Sequence, residues 1–310
     1  MSDQQPKVAV VIPTFNRWPH VGAAVDSVLA QSYPRVECVV VDDASTDGTA
    51  AEIRRVYGRR VRLIVQPENR EKSAARNTGI RATDAEYVCM LDSDDVLTVR
   101  SVEDRLRLFL DDPGFSGVAY GLADQGKRRL NPKPEAFAKR GLQGDVLYRF
   151  VERPFILNND YLLSRENMLK FGMYKEDLTN REDVELLIRL AAHLEFRFCG
   201  SYVARVRRVD LSARSNHAQY IRQGPRMIAH LREDAFVAGR LGDRLDRLEW
   251  RELVELARTH YKARQFQPFR SLFYRVLKRW PRYTVSNRQM VKRFLLSLFR
   301  RDVMCPQRFY

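Results

Sequence analysis

The densest chemistry in the chain lies at Asp92-Ser93-Asp94-Asp95, three carboxylates in four residues directly after the apolar run Tyr87-Val88-Cys89-Met90-Leu91. That run is too short for a helix and is bounded by charge, which predicts a buried strand. Carboxylates gathered just past the end of such a strand repel one another. A hard divalent cation shared with substrate phosphates relieves that repulsion, so Asp92, Asp94 and Asp95 are candidate ligands for Mg²⁺ or Mn²⁺. The same residues also suit a solvated loop or a helix start, with Asp95 capping a segment from Val96.

Two further groups carry charge at informative spacing. Lys72 and Arg76 stand four apart in a helical stretch, where both can face a diphosphate. Asp42 and Asp43 close another apolar run and can accept hydrogen bonds from a base or a ribose. In Arg181-Glu182-Asp183-Val184-Glu185 an acidic helix start precedes an apolar face of Val184, Leu187, Leu190 and Ala191. Acids there need no function, because the helix dipole favours them. Asp47 can likewise be a simple helix cap, and Arg76 can sit in a surface ion pair.

These residues need a frame, and the hydrophobic pattern supplies one. Lys7 to Ile12, Val36 to Val41, Val61 to Val65 and Tyr87 to Leu91 read as strands. Between them lie helical patterns through Val21, Val25 and Leu29, from Ala51 to Tyr57, and from Arg70 to Ile80. Such alternation predicts an α/β fold, a mostly parallel sheet with helices on both faces, whose ligands bind outside the carboxyl ends of the strands. Further on, Ser101 to Asp112 reads as a helix, and Val118 to Leu122, Phe155 to Leu163 and Phe196 to Val203 as strands. Asn158-Asn159-Asp160 interrupts the second of these, forming a turn or reaching a substrate hydroxyl.

Composition narrows the class. With 310 residues, 45% of them hydrophobic and 30% charged, the chain can bury a large core and is not a disordered segment. No apolar stretch approaches the roughly twenty residues of a membrane span, and the polar start through Lys7 is unlike a signal peptide. Cys38, Cys89, Cys199 and Cys305 lack metal-ligand spacing, and the expectation is reduced cysteines in a cytoplasmic protein. A net charge of +15 points to polyanions, nucleic acid or an acidic membrane surface.

Four ordered stretches then carry a resemblance: Val10-Val11-Ile12-Pro13-Thr14-Phe15-Asn16-Arg17, Val39-Val40-Val41-Asp42-Asp43-Ala44-Ser45-Thr46-Asp47-Gly48-Thr49, Lys72-Ser73-Ala74-Ala75-Arg76-Asn77-Thr78-Gly79 and Met90-Leu91-Asp92-Ser93-Asp94-Asp95. Together they resemble the inverting glycosyltransferases of family two, which share the nucleotide-diphospho-sugar-binding fold called GT-A. The resemblance implies that Pro13, Thr14 and Asp43 contact the nucleoside. It puts Arg76 near the base or diphosphate, and gives ribose and metal to Asp92 and Asp94, with Asp95 adjacent. It also implies that Asp183 is the catalytic base, in a Glu-Asp pair before a helix that runs on to Arg189. The expected donor is a UDP-sugar, and the expected acceptor a glycan or lipid-linked glycan. One departure stands out. Many relatives carry a histidine that helps bind metal or diphosphate in the Arg-rich segment before Ser212, where this chain has Arg208, Val209 and Asp210, and its nearest histidine is His217.

The resemblance fades near residue 215. It implies a GT-A-like domain over 1–215, with a nucleotide-binding half (1–100) and an acceptor half (101–215), and the residue pattern beyond it predicts a basic amphipathic helical extension over 216–310. From Arg258 onward fourteen Lys or Arg face the single acid Asp302, interleaved with aromatic and aliphatic residues. That pattern suits peripheral contact with an anionic membrane, on the inner face of the cell membrane, or else a solvated face packed on the enzyme. No fingerprint of a nucleic-acid-binding fold accompanies the charge, so nucleic acid is not expected as a partner. Two rival functions share the acidic site: a nucleotide-sugar-binding protein without turnover, and a nucleotidyltransferase. The second lacks its Gly-rich triphosphate loop here, where Pro13-Thr14-Phe15-Asn16 stands instead.

Overall fold

Val8, Val10, Val11 and Ile12 are stiff at χ1 and favour extended backbone, and β1 forms over Val8–Thr14 with every residue buried. On one side lie β2 (Val36–Asp42) and then β3 (Arg62–Val65), on the other β4 (Tyr87–Met90), all parallel to it. Val8 pairs with Val36 and Tyr87, and Thr14 with Asp42, so the carboxyl ends of these strands open on one edge. The connections are α1 (His20–Leu29), α2 (Thr49–Tyr57) and α3 (Glu71–Ala82). The structure is a computed structural model that describes residues 5–126, 133–138, 140, 142–152, 154–207 and 223–298.

Side chains alternate across a strand, and the two faces of β1 meet different helices. Val8, Val10 and Ile12 join Val21, Val25 and Val28 of α1 and Ile53 of α2 in one core. On the opposite face α3 comes so close that a Cβ at Gly79 would sit 2.4 Å from a methyl of Val11. Only glycine permits that approach, which fixes Lys72 and Arg76 relative to the strand ends.

The second half completes an eight-stranded sheet of order β3-β2-β1-β4-β7-β6-β8-β5, with β5 (Val96–Leu97), β6 (Val118–Asp124), β7 (Tyr161–Ser164) and β8 (Phe196–Arg205). Here the sheet is mixed. β7 runs antiparallel to both β4 and β6, β5 antiparallel to β8, and β6 parallel to β8. Helix α4 (Ser101–Leu110) is followed by the short α5 (Pro134–Ala138), α6 (Leu147–Glu152) and α7 (Arg165–Lys170), and by α8 (Glu182–His193). Two local expectations are refined. Residues Asn158–Asp160 form a 3₁₀ turn, so the strand expected from Phe155 begins only at Tyr161. Asp95 caps no helix, because Val96 and Leu97 pair with Arg205 and Ala204 as a strand.

Backbone contacts divide the chain into two units, Met1–Leu211 and Ser212–Tyr310. The second is helical throughout its described part, with helices at Gly224–Glu233, Ala235–Leu241, Asp243–Lys262, Phe266–Arg279, Pro281–Ser286 and Arg288–Leu298. Leu253, Val254, Ala257, Phe269, Phe273, Val276, Trp280 and Met290 form its own core. The apolar spacing in this part of the sequence therefore encodes helix packing. Among the described residues no helix is long and apolar enough to cross a membrane.

Candidate active site

The loops after β1 and β2 clasp each other. The Asn16 side-chain oxygen accepts from the Thr46 and Asp47 amides at 2.8 and 3.3 Å, and the Asn16 amide donates to Ser45 Oγ at 2.8 Å. Asp42 turns inward and accepts from the Ser45 amide at 3.1 Å. Asp43 is buried and accepts from the Arg70 amide at 2.9 Å, which ties the third loop to the other two. Burial pushes its carboxyl up, and the Arg70 and Glu71 amides pull it partly back. Pro13 and Thr14 end β1 as buried residues, with Thr14 Oγ1 unpaired among the described residues. The three nucleoside candidates therefore lie together along the floor of this edge, with the exposed Phe15 beside them.

Arg76 is the hub of the neighbouring site. Its side chain is 3% exposed and donates through Nη2 to Asp92 Oδ1 at 2.7 Å and through Nη1 to Glu182 Oε1 at 3.0 Å. The guanidinium lies 5.1 Å from the Tyr174 ring centroid. One turn earlier on α3, Lys72 reaches the same Glu182 oxygen at 2.7 Å. The spacing of four thus puts both cations on one face, and that face meets the start of α8. Burial works against the Arg76 charge, but Asp92 and Glu182 outweigh it and raise its proton affinity. Asp183, next to Glu182, is partly buried, and its carboxyl is pushed up by burial and by the Glu182 charge, with Lys72 acting in the opposite sense.

Tyr174 is placed by Asn77, whose side-chain amide accepts from the Tyr174 N–H at 3.0 Å and donates to its carbonyl at 2.9 Å. Arg189 supports the same loop. It pairs with Glu185 through two bonds of 2.9 and 2.7 Å and donates to the Met173 carbonyl at 2.6 Å. Its role in this structure is to hold the chain that carries Tyr174.

The acidic turn is closed by the Asp95 amide donating to the Asp92 carbonyl at 3.0 Å. Its carboxylates differ in surroundings. Asp92 is 37% exposed and, among the described residues, has only Arg76 as a side-chain partner. Asp94 is partly buried, and its carbonyl accepts from Arg207 Nε at 2.9 Å. Asp95 is buried and engaged on both oxygens, by the Arg207 amide at 2.9 Å and by Asn159 Nδ2 at 2.6 Å. Burial and the Asp92 charge push its carboxyl up to about 7. Among the described residues no three Asp, Glu, His or Cys side chains converge as a ready metal cage. The hard oxygen donors of the partly exposed Asp92 and Asp94 suit instead a hard cation that completes its shell with phosphate and water. His217, Arg208, Val209 and Asp210 lie outside the described residues.

Three participants were not apparent from motif spacing. Asn159 links Asp92 and Asp95, Arg207 grips the same turn, and the fully buried Arg105 of α4 donates to the carbonyls of Asn159 and Tyr161 at 3.3 and 2.8 Å. A signal existed for two of them. Arg105 sits on the apolar face of Val102, Leu106 and Phe109, and Asn159 sits inside an apolar run.

Residues 9–175, more than half of the chain, match the family model described as glycosyl transferase family 2, and the chain belongs to that family. It is similar to the succinoglycan biosynthesis protein ExoO of Rhizobium meliloti, at 41% identity over 37% of this chain and 32% of ExoO. It is also similar to the putative teichuronic acid biosynthesis glycosyltransferase TuaG of Bacillus subtilis, at 34% identity over 40% of this chain and 51% of TuaG. A third relative is the UDP-Glc:alpha-D-GlcNAc-diphosphoundecaprenol beta-1,3-glucosyltransferase WfgD of Escherichia coli, at 28% identity over 33% of this chain and 41% of WfgD. The matches thus span about a third to a half of these relatives. In fold, the chain is similar to S. aureus TarS 1–349 in complex with UDP-GlcNAc (TM-score 0.61, 16% identity, 94% of this chain and 90% of that one). The mannosyltransferase PcManGT from Pyrobaculum calidifontis, in complex with GDP-Man and Mn²⁺, is similar to the same degree (TM-score 0.61, 19% identity, 96% and 87%).

Proposed function

We propose that the chain moves a sugar from a nucleoside diphosphate donor, a UDP-sugar, to a hydroxyl of a glycan or lipid-linked glycan, inverting the anomeric carbon in one displacement. The observation that carries this reading is Arg76, which spans Asp92 at one end and Glu182, beside Asp183, at the other. A leaving-group site and a base site are thereby joined by one buried cation. Pro13, Thr14 and Asp43 would hold the nucleoside. Lys72 and Arg76 would exchange carboxylate partners for the diphosphate, and Asp92 and Asp94 would hold Mn²⁺ or Mg²⁺ against it. A divalent cation there supplies charge balance to the departing diphosphate. Asp183 would take the proton of the acceptor hydroxyl, and its raised proton affinity makes it a stronger base than an ordinary aspartate. Asp95, with both oxygens already engaged, anchors the turn.

The donor class is supported by TarS with UDP-GlcNAc and by WfgD, a UDP-Glc-dependent glucosyltransferase whose acceptor is a diphosphoundecaprenol-linked sugar. A lipid-linked acceptor fits the second unit, which we assign to peripheral contact with an anionic bilayer at the cytoplasmic face. There Tyr274 packs on Phe294 at 5.1 Å, Leu295 and Leu298 follow within one turn, and all but Phe294 are exposed alongside Arg275, Lys278 and Lys292. Aromatic, aliphatic and cationic side chains in this mixture suit the headgroup region.

A thermal-unfolding screen of nucleotide sugars, with MnCl₂ and with EDTA, tests the reading. A UDP-sugar should raise the melting temperature in MnCl₂ and lose most of that effect in EDTA. No stabilisation by any nucleotide would remove the donor site.

A further inference from the structure

We infer that Asn159 is a positioning residue that sets the geometry of the acidic turn, and does so as one half of an exchangeable amide–carboxylate pair with Asp95. Among the described residues its side chain is the one that touches both ends of that turn. Oδ1 accepts from the Asp92 backbone N–H at 2.8 Å, and Nδ2 donates to Asp95 Oδ2 at 2.6 Å. Both bonds need an acceptor and a donor side by side, which an amide offers without having to hold an acidic proton. Asn159 is 1% exposed, so neither bond can be exchanged for water at low cost.

The amide itself is held from behind. Arg105, fully buried, donates Nη1 to the Asn159 and Tyr161 carbonyls, while its other nitrogens bond to the Ser101 carbonyl and Ser101 Oγ at 3.0 and 2.7 Å. Asn158 accepts from Tyr174 OH at 2.9 Å, and Asp160 accepts from the Leu157 amide at 2.7 Å. With flanking residues fixed on both sides, the Asn159 amide has one orientation. The Asp92 backbone is then fixed at its N–H, and Asp95 on both oxygens, since the Arg207 amide takes the other. Among the described residues that leaves Asp94, and Asp92 beyond its single pairing with Arg76, as the carboxylates that can meet a ligand.

This inference rests on the reading of Asp92 and Asp94 as the diphosphate and metal pole, and the test separates the two. Titration calorimetry of UDP in MnCl₂ and in EDTA is run on the full chain, with thermal unfolding measured in parallel. Asn159→Asp puts a second acidic group 2.6 Å from Asp95 in place of the amide donor and should weaken Mn²⁺-dependent UDP binding at least tenfold. Asn159→Ala removes both bonds and should do the same at temperatures where it is folded. The decisive variant is the exchange Asn159→Asp with Asp95→Asn. A carboxylate at position 159 can accept from the Asp92 N–H and from a new amide at position 95, whose oxygen still accepts from Arg207. The hydrogen-bond pattern and the net charge are both preserved. The exchange should bring Mn²⁺-dependent UDP affinity back to within about threefold of wild type.

If wild type fails to bind UDP, the functional reading falls. If wild type binds and the folded single variants bind equally well, Asn159 positions nothing. An exchange variant that binds no better than Asn159→Asp alone, or does not fold, also overturns the inference, because the pair is then not interchangeable and Asp95 is more than an anchor.

Discussion

Replacing Arg76 with methionine should destabilise the first unit by an amount the burial of its partners sets. Methionine keeps the length of the side chain and can still pack on Tyr174, so the loss is electrostatic. Removing one member of a buried ion pair costs about 3–5 kcal/mol, because a desolvated charge is left behind. Glu182, whose side chain is 2% exposed, is that charge, but it keeps Lys72 at 2.7 Å. Asp92, 37% exposed, can be rehydrated at little cost. The lower end therefore applies, about 3 kcal/mol. For a unit of roughly 200 residues 1 kcal/mol moves the melting temperature by about 2–4 °C, so the fall should be roughly 6–12 °C. Adding Glu182→Gln removes the stranded charge while keeping its shape, and Lys72 can return to solvent. The double variant should then melt at least about 2 °C above Arg76→Met. Scanning calorimetry of wild type, both single variants and the double completes the cycle. A loss below about 1 kcal/mol for Arg76→Met, or a double variant less stable than that single one, would refute the buried-charge argument.

Asp183→Asn should leave UDP affinity nearly unchanged and lower kcat by about 10²–10⁴, the usual contribution of a positioned general base. Transfer at the wild-type rate would make Asp183 a helix-start residue only. Because the Asp183 carboxyl holds its proton to higher pH than an ordinary aspartate, the acid limb of kcat/KM should lie above the usual carboxylate range. A limb near pH 4 would contradict that assignment. Asp94→Ala should abolish the difference between UDP titrations in MnCl₂ and in EDTA, while equal binding of wild type under both conditions would end the metal assignment. Sedimentation with liposomes should show binding that needs anionic lipid, weakens with salt and is lost on Arg275→Glu with Lys278→Glu. A full chain that ignores anionic liposomes at low salt would leave the helical unit as a structural cap.

The parts of the site that follow from local rules are legible in the sequence. Strands ending at Thr14 and Asp42 follow from β-branched runs closed by turn residues, and the shared face of Lys72 and Arg76 follows from a spacing of four. What local rules cannot supply is pairing across distance. Arg76 meets Glu182 at a separation of 106 residues, Asn159 meets Asp92 at 67, and Arg207 meets Asp95 at 112. The antiparallel insertion of β7 between β4 and β6 is of the same kind, since nothing within Tyr161–Ser164 encodes its neighbours.

The acids at the start of α8 show why this matters for function. Alone, Glu182 and Asp183 are accounted for by the helix dipole, and no partner is required. In the folded chain Glu182 is buried against two cations, and Arg181 just before it holds a left-handed backbone at φ +70°. Asn16 and Ala44, in the loops after β1 and β2, and Glu71, the first residue of α3, are also left-handed. Such non-glycine conformations cost about 1 kcal/mol each and persist only where surrounding contacts over-determine them. A helix cap that served stability alone would need neither the strained residue nor the buried charge. Both are intelligible if the start of α8 must stand at a fixed distance from α3, so that one arginine can reach the acidic turn and the neighbour of Asp183 together.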